Sequence, residues 1–262
     1  MRHYIKLVLK HLLYTIYCYF AWMLPYSRHP EKYPFAKKYD KFRKFSIRLL
    51  SSFSIDLKIE GLENVPKDQV CYFVCNHQSA IDPLFIIQAL DIPASVVAKK
   101  ETRKMPLIGK ALVALDGIFL DRENLKQSLK VMLELQEDLI ERNKNWFIFP
   151  EGTRIKDPLK NLQPFHPGAF RAPMKANVPI IPCALYGAFR VLKLKPYLKR
   201  YPVTLKFLPP IYPDQYKDMF TGDVAKITHD IIENEIAYNL RPKHHEEMLK
   251  LKNKKYRATE AI

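Results

Sequence analysis

From about residue 55 onward the chain alternates between two textures. Short apolar runs rich in β-branched and aromatic residues occur at 70–75 (VCYFVC), 95–98 (SVVA), 117–120 (GIFL), 146–149 (WFIF), 179–185 (PIIPCAL) and 203–208 (VTLKFL), each of strand length. Between them lie longer stretches with helical spacing, at 82–90, 124–142, 168–177 and 223–239. Within 124–142, Leu125, Leu129, Met132, Leu135 and Leu139 recur every three or four residues and share one predicted helix face. The alternation predicts an α/β fold with a largely parallel central sheet flanked by helices. No internal repeat and no low-complexity linker interrupts it.

The first 54 residues are patterned differently. Leu12 to Leu24 (LLYTIYCYFAWML) is uncharged, but its 13 residues fall short of the roughly 20 that cross a bilayer as a helix. Trp22, Met23 and Leu24 stand where a cleaved signal peptide needs small residues. Residues 35–53 read FAKKYDKFRKFSIRLLSSF. Phe35, Tyr39, Phe42, Leu49 and Phe53 recur at spacings of three, four and seven, while Lys37, Lys38, Lys41, Lys44 and Arg48 fall largely elsewhere. This is a basic amphipathic helix, whose apolar side packs either on the core or on a membrane surface; two adjoining segments of this kind favour the membrane. The organisation expected is therefore 1–54 as N-terminal membrane-associating helices, 55–240 as one α/β domain, and 241–262 as a basic tail with seven Lys/Arg.

Composition narrows the partners. At 262 residues and 48% hydrophobic the chain can bury a core, which excludes wholesale disorder. It carries 43 Lys+Arg against 27 Asp+Glu, a net +16, so its company is anionic: phosphate, nucleic acid, anionic lipid or an acidic protein. No acid occurs from residue 158 to 213, whereas Lys160, Arg171, Lys175, Arg190, Lys193, Lys195, Lys199, Arg200 and Lys206 do. Aromatics are not interleaved with that run as a base-stacking platform requires, which argues against nucleic acid. Of the four cysteines, Cys71 and Cys75 lie four apart on one predicted strand, roughly 13 Å from each other and beyond disulfide reach. The thiols read as reduced and buried, in a cytosolic setting. No Cys-x-x-Cys or H-E-x-x-H spacing is present, so no metal site is expected.

Three clusters at predicted strand ends could do chemistry. In Asn76-His77-Gln78-Ser79-Ala80-Ile81-Asp82, a turn between strand and helix can fold Asp82 back to His77. A carboxylate on one ring nitrogen fixes the tautomer and makes the other nitrogen a better base. Asp82 before Pro83 also reads as a helix N-cap, and both roles fit one carboxylate. Phe149-Pro150-Glu151-Gly152-Thr153-Arg154 puts an acid, a glycine and an arginine where open α/β sheets bind ligands; the alternative is a surface turn with an internal Glu151–Arg154 pair. Gly117-Ile118-Phe119-Leu120-Asp121-Arg122 closes another strand with a charged pair. There is no G-x-S-x-G nucleophile elbow and no glycine-rich phosphate loop.

Taken together, the clusters resemble the glycerolphospholipid acyltransferase family, specifically its 1-acylglycerol-3-phosphate acyltransferases. Asn76–Asp82 matches an NHxxxxD block, Gly117–Arg122 a GxxFxDR block, Phe149–Arg154 an FPEGTR block and Val178–Pro182 a VPIxP block, in the family's order. Val97-Ala98-Lys99-Lys100-Glu101 resembles its basic segment between the first two. Ile155 departs from the usual Ser, and His166 stands where Lys is common. The resemblance implies that 55–240 is a catalytic domain that transfers an acyl chain from a thioester to the sn-2 hydroxyl of lysophosphatidic acid, giving phosphatidic acid. His77 would be the general base and Asp82 its orienting acid. Arg154, Arg122 and Lys99 would hold the phosphate, and Glu151, Gly152 and Thr153 would line the acceptor. It implies no cofactor, the acyl carrier protein or coenzyme A thioester being a co-substrate. The N-terminal segment and the basic charge predict attachment at the cytoplasmic face of a membrane with anionic lipid. Acylation of glycerol 3-phosphate or another lysolipid, or non-catalytic polyanion binding, are the alternatives.

Overall fold

The structure, a computed structural model, describes residues 12–155, 157, 161–192 and 200–251. The expectations for residues 1–11, Lys160, Lys193, Lys195, Lys199 and 252–262 lie outside the described residues.

Seven strands form one sheet in the order β1-β7-β6-β2-β5-β3-β4. They are β1 Ile55–Glu60, β2 Tyr72–Cys75, β3 Ala94–Lys99, β4 Ile118–Leu120, β5 Asn145–Ile148, β6 Ile180–Tyr186 and β7 Tyr201–Phe207. Every pairing is parallel except β6 with β7. The helices that pack on the sheet are α1 Phe35–Leu50, α2 Asp82–Ala89, α3 Pro106–Ala114, α4 Leu125–Ile140, α5 Arg171–Ala176, α6 Thr221–Asn234 and α7 Arg241–Leu251. The α/β expectation holds, with two elements added. β1 (IDLKIE) pairs with β7 at the far edge, and α3 follows a charged turn at Lys100–Lys104.

The central strands are apolar on both faces because both faces are covered. In β2, Phe73 and Cys75 face a core shared with α1 and α2, while Tyr72 and Val74 face one shared with α4 and α6. On α4 the buried face is Val131, Met132, Leu135 and Leu139. Leu125 and Leu129, expected on the same face, are exposed. Pro173 sits in the first turn of α5, where its missing N–H has no intrahelical partner to lose.

The aromatic side of α1 is not free for lipid. Tyr39, Phe42, Phe45 and Leu50 are buried in the same cluster as Phe73 and Phe85, and Trp22 meets Phe42 edge-on with centroids 4.7 Å apart. Lys38 is buried among them, donating to Asp116 and to the Pro30 carbonyl. The core reading of this helix therefore replaces the membrane one. The exposed apolar face lies instead on the N-terminal helical stretch 12–28, where Leu12, Leu13, Ile16, Tyr17 and Phe20 recur at helical spacing.

Residues 241–251 are an ordered part of the domain. α6 continues through a π-helical turn, Glu235–Leu240, into α7. There His244 and Met248 are buried, Lys243 meets Glu60 at 2.9 Å and Glu247 pairs with Lys58. Among the described residues, the basic run between 158 and 213 does not form one continuous exposed face. Arg190 is buried against Phe189 and Tyr186, and Lys206 pairs with Glu235.

Candidate active site

β2, β5, β3 and β4 are consecutive and parallel, so the loops leaving their carboxyl ends meet along one edge. Those loops carry His77, Glu151–Arg154, Lys99 and Arg122 respectively. The sequence clusters, dispersed over 78 positions, become neighbours for that reason.

His77 Nδ1 lies 2.8 Å from Asp82 Oδ2. The same oxygen accepts from the backbone N–H groups of Gln78 at 2.6 Å and Ser79 at 2.7 Å. Asp82 is wholly buried while the His77 side chain keeps 20% exposure, so the acid faces protein and the imidazole remains reachable. Burial raises the Asp82 pKa, and its hydrogen bond with His77 opposes that rise. Asp82 is the first residue of α2, and its other oxygen, Oδ1, has no hydrogen-bond partner. The capping role expected of it is therefore absent, because its bonded oxygen is directed into the preceding turn.

The backbone of His77 is clamped by the β5 loop. Its N–H donates to Glu151 Oε1 at 2.7 Å, and its carbonyl accepts from Ile155 N–H at 2.9 Å. Glu151 is 3% exposed, and its other oxygen accepts from Gln163 N–H at 3.1 Å. Both oxygens thus brace loops, and burial raises the Glu151 pKa against those bonds. This carboxylate positions His77; it does not face the open edge. Two further side chains fix the turn. Asn76 bridges the Leu185 carbonyl and N–H at 2.9 and 2.8 Å, and Gln78 accepts from Gly187 N–H at 3.1 Å. Phe149 stacks on the imidazole with ring centroids 4.4 Å apart, a contact that reading Phe149 as the end of a strand does not reveal.

Arg122, after β4, reaches past β3 to donate to the Gly152 carbonyl after β5. Gly152 has φ +72°, a left-handed conformation that favours glycine, and a Cβ there would displace the end of the Arg122 side chain. Thr153 and Arg154 are exposed on the outer side of the loop. The Glu151–Arg154 pair of the surface-turn alternative does not form, since Glu151 accepts from His77 and Gln163 instead, and Arg154 has no side-chain partner among the described residues. Lys99 is exposed at the end of β3, 3.6 Å from Glu101, while Lys100 holds Asp121 at 2.8 Å and so anchors the Arg122 loop.

Beside Phe149 opens a cavity of about 410 Å³ whose walls include Leu120, Leu129, Met132 and Ile148. Arg122, His166 and Arg171 line it and no carboxylate does, which suits an amphiphile with an anionic end. Burial and the charge of Arg122 lower the His166 pKa. A larger cavity of about 630 Å³ lies at the opposite end of the sheet, at the start of β4 and β5, among Asp116, Asp138, Arg142 and Lys144. Cys71, Cys75 and Cys183 are free and buried with raised pKa values, Cys71 to about 12, so none is a poised nucleophile. Among the described residues no group of three or more His, Cys, Asp or Glu could hold a metal ion.

A histidine–carboxylate dyad beside a cation-rich edge, on a largely parallel sheet, defines a class: the chain belongs to the acyltransferase family, whose model matches residues 56–186. It is 31% identical over 191 residues to the 1-acyl-sn-glycerol-3-phosphate acyltransferase of Limnanthes douglasii, covering 72% of this chain and 66% of that one. It is 30% identical over 213 residues to the probable 1-acyl-sn-glycerol-3-phosphate acyltransferase of Mycoplasma pneumoniae, covering 76% and 78%. With the enzyme of that name from Haemophilus influenzae it shares 31% over 185 residues, covering 69% and 75%. The chain thus spans about two thirds of the Limnanthes relative's length. Among solved structures, the 1-acyl-sn-glycerophosphate acyltransferase PlsC from Thermotoga maritima matches with TM-score 0.65 at 22% identity, over 88% of this chain and 96% of that one. At that identity the likeness is one of fold.

Proposed function

We propose that this protein transfers an acyl chain from a thioester directly to the sn-2 hydroxyl of 1-acyl-glycerol 3-phosphate, forming phosphatidic acid. The observation that carries the reading is the 2.8 Å contact between His77 Nδ1 and Asp82 Oδ2 at an edge where Arg122, Arg154 and Lys99 supply positive charge. With Nδ1 donating to Asp82, Nε2 carries the lone pair. It takes the proton of the acceptor hydroxyl as that oxygen attacks the thioester carbonyl. The new C–O bond forms, the C–S bond breaks, and the proton on Nε2 passes to the departing thiolate. Asp82 orients the ring and stabilises its charged form. The names of the relatives support lysophosphatidic acid as acceptor. Acyl carrier protein and coenzyme A thioesters both supply the chemistry required of the donor.

The acceptor is a lipid, and the apolar face of residues 12–20 supports attachment to a membrane, with anionic headgroups beside the basic surface and the site on the cytoplasmic side. No helix among the described residues is long and apolar enough to cross a bilayer, so the stretch lies on the surface in this reading.

Arg154 separates holding the phosphate from doing the chemistry. Its exposed guanidinium suits a phosphomonoester bidentately, and lysine keeps the charge without the fork. Arg154→Ala should raise acceptor KM by roughly ten- to a hundredfold, the worth of a charged hydrogen bond, and Arg154→Lys by less. Donor KM should stay flat in both. Varying the two substrates separately checks this, and a rise confined to the donor would move Arg154 to the other subsite.

A further inference from the structure

We infer that the turn and first helical residues at Arg103–Lys110 form a second membrane-contacting element, which seats Met105, Leu107 and Ile108 in an anionic bilayer; this rests on the membrane reading of the N-terminal helix.

Arg103, Lys104, Met105, Pro106, Leu107 and Ile108 are consecutive and all exposed. The three large apolar side chains among them are 47%, 39% and 38% exposed. Scattered exposed apolar residues are ordinary, but three adjoining ones on one short knuckle are a patch.

The segment cannot relieve that exposure by folding inward. Met105 N–H donates to Thr102 at 3.0 Å and Gly109 N–H to Met105 at 2.8 Å. Gly109 is packed so closely that a Cβ would fall 2.3 Å from the Arg103 carbonyl oxygen. Beyond the turn, Gly109, Leu112 and Ala114 are buried and hold α3 on the domain. The apolar tip is therefore presented outward by a closed turn on a docked helix.

Two observations select a bilayer as the occupant. The first is charge. From Thr102 to Leu115 there is no acid, whereas Arg103, Lys104 and Lys110 bracket the apolar residues. Cations at the rim of an apolar tip match anionic headgroups above acyl chains. The second is continuity. α3 packs on Leu24–Arg28 and on the π-helical turn Tyr19–Met23, both in the helical stretch that exposes Leu12, Ile16 and Phe20. Because β3 delivers the same segment directly after Lys99, contact here would bring the cationic edge of the site to the lipid surface. An acidic carrier protein would meet the same charges but gives no reason for continuity with the N-terminal face.

The test uses the full chain and vesicles of phosphatidylcholine containing phosphatidylglycerol. Met105→Ser, Leu107→Ser and Ile108→Ser combined should weaken partitioning by about tenfold or more, while turnover on a soluble short-chain acceptor with a coenzyme A donor stays unchanged. Lys104→Glu with Lys110→Glu should weaken partitioning on anionic vesicles and leave it unchanged on neutral ones. Equal partitioning of wild type and the triple variant would overturn the inference while sparing the N-terminal helix. Failure of the wild-type chain itself to bind vesicles would overturn both. Unchanged partitioning with a selective loss of turnover on acyl carrier protein thioester would assign the patch to a protein instead.

Discussion

His77→Ala should leave a folded protein whose turnover is lower by about 10²–10⁴, the contribution of a positioned general base. Folding should survive because the loop is held by groups the substitution does not touch. The N–H and carbonyl of residue 77 keep their bonds to Glu151 and Ile155, and Asn76 and Gln78 keep theirs to β6 and Gly187. What is lost is the ring on Phe149 and the proton acceptor at Nε2. Asp82→Asn should also lower turnover, since an amide no longer dictates which ring nitrogen carries the proton or offsets an imidazolium. Its stability cost should be greater, because the same carboxylate oxygen gathers two backbone N–H groups in a fully buried position. Circular dichroism with turnover at saturating substrates checks both. Near-normal turnover in folded His77→Ala would end the proposed chemistry.

Acid should weaken the fold through His244, which packs beside Gly187, the residue whose N–H donates to Gln78 in the dyad's turn. This side chain is fully buried in α7; its Nε2 meets Thr204 Oγ1 at 2.8 Å, while Nδ1 has no hydrogen-bond partner. Burial first, then the charges of Arg190, Lys58 and Lys243, push its pKa down to about 3, with Glu60 opposing. In the unfolded chain the same group titrates near 6.5. The folded pKa is depressed, so below about pH 6.5 the unfolded state takes up a proton that the folded state refuses. The stability at stake is fully present above that pH and is lost as pH falls toward 3. At about 1.4 kcal/mol per unit, the loss should reach about 2 kcal/mol by pH 5. His244→Asn removes this titration while leaving the carboxylates common to both proteins. Denaturant unfolding at pH 7 and pH 5 should show wild type losing about 2 kcal/mol more than the variant; equal losses would show that acid does not act through His244.

The strands that build the site were legible because burial on both faces writes them as unbroken apolar runs. β1 was not, since IDLKIE alternates like any half-exposed segment and acquires its identity only by pairing with β7, some 146 positions away at Ile55 and Tyr201. The amphipathic pattern of α1 was real, but a stripe of aromatics is the same whether protein or lipid covers it. Burial of Lys38 decides the matter, and its partner Asp116 lies 78 positions on, where periodicity carries no information. Three of the four blocks mark loops that meet at the candidate site, while Val178–Pro182 leads into β6 beside Tyr72 at the start of β2. They did not reveal which way each acid turns: Asp82 into the His77 turn and not onto its own helix, and Glu151 onto two loops and not toward a ligand. Those directions depend on N–H groups brought together by the sheet.

The proposed reaction is acyl transfer onto the free hydroxyl of a lysophospholipid phosphate. Its most direct measurement offers purified full-length protein one acyl thioester together with lysophosphatidic acid and glycerol 3-phosphate, the two acceptors carrying different isotopic labels, and identifies the products by mass spectrometry. The expected product is phosphatidic acid bearing the lysophosphatidic acid label, formed by wild type and nearly abolished in His77→Ala. Label from glycerol 3-phosphate dominating the acylated product, or no acyl transfer to either acceptor from either class of thioester, would contradict it.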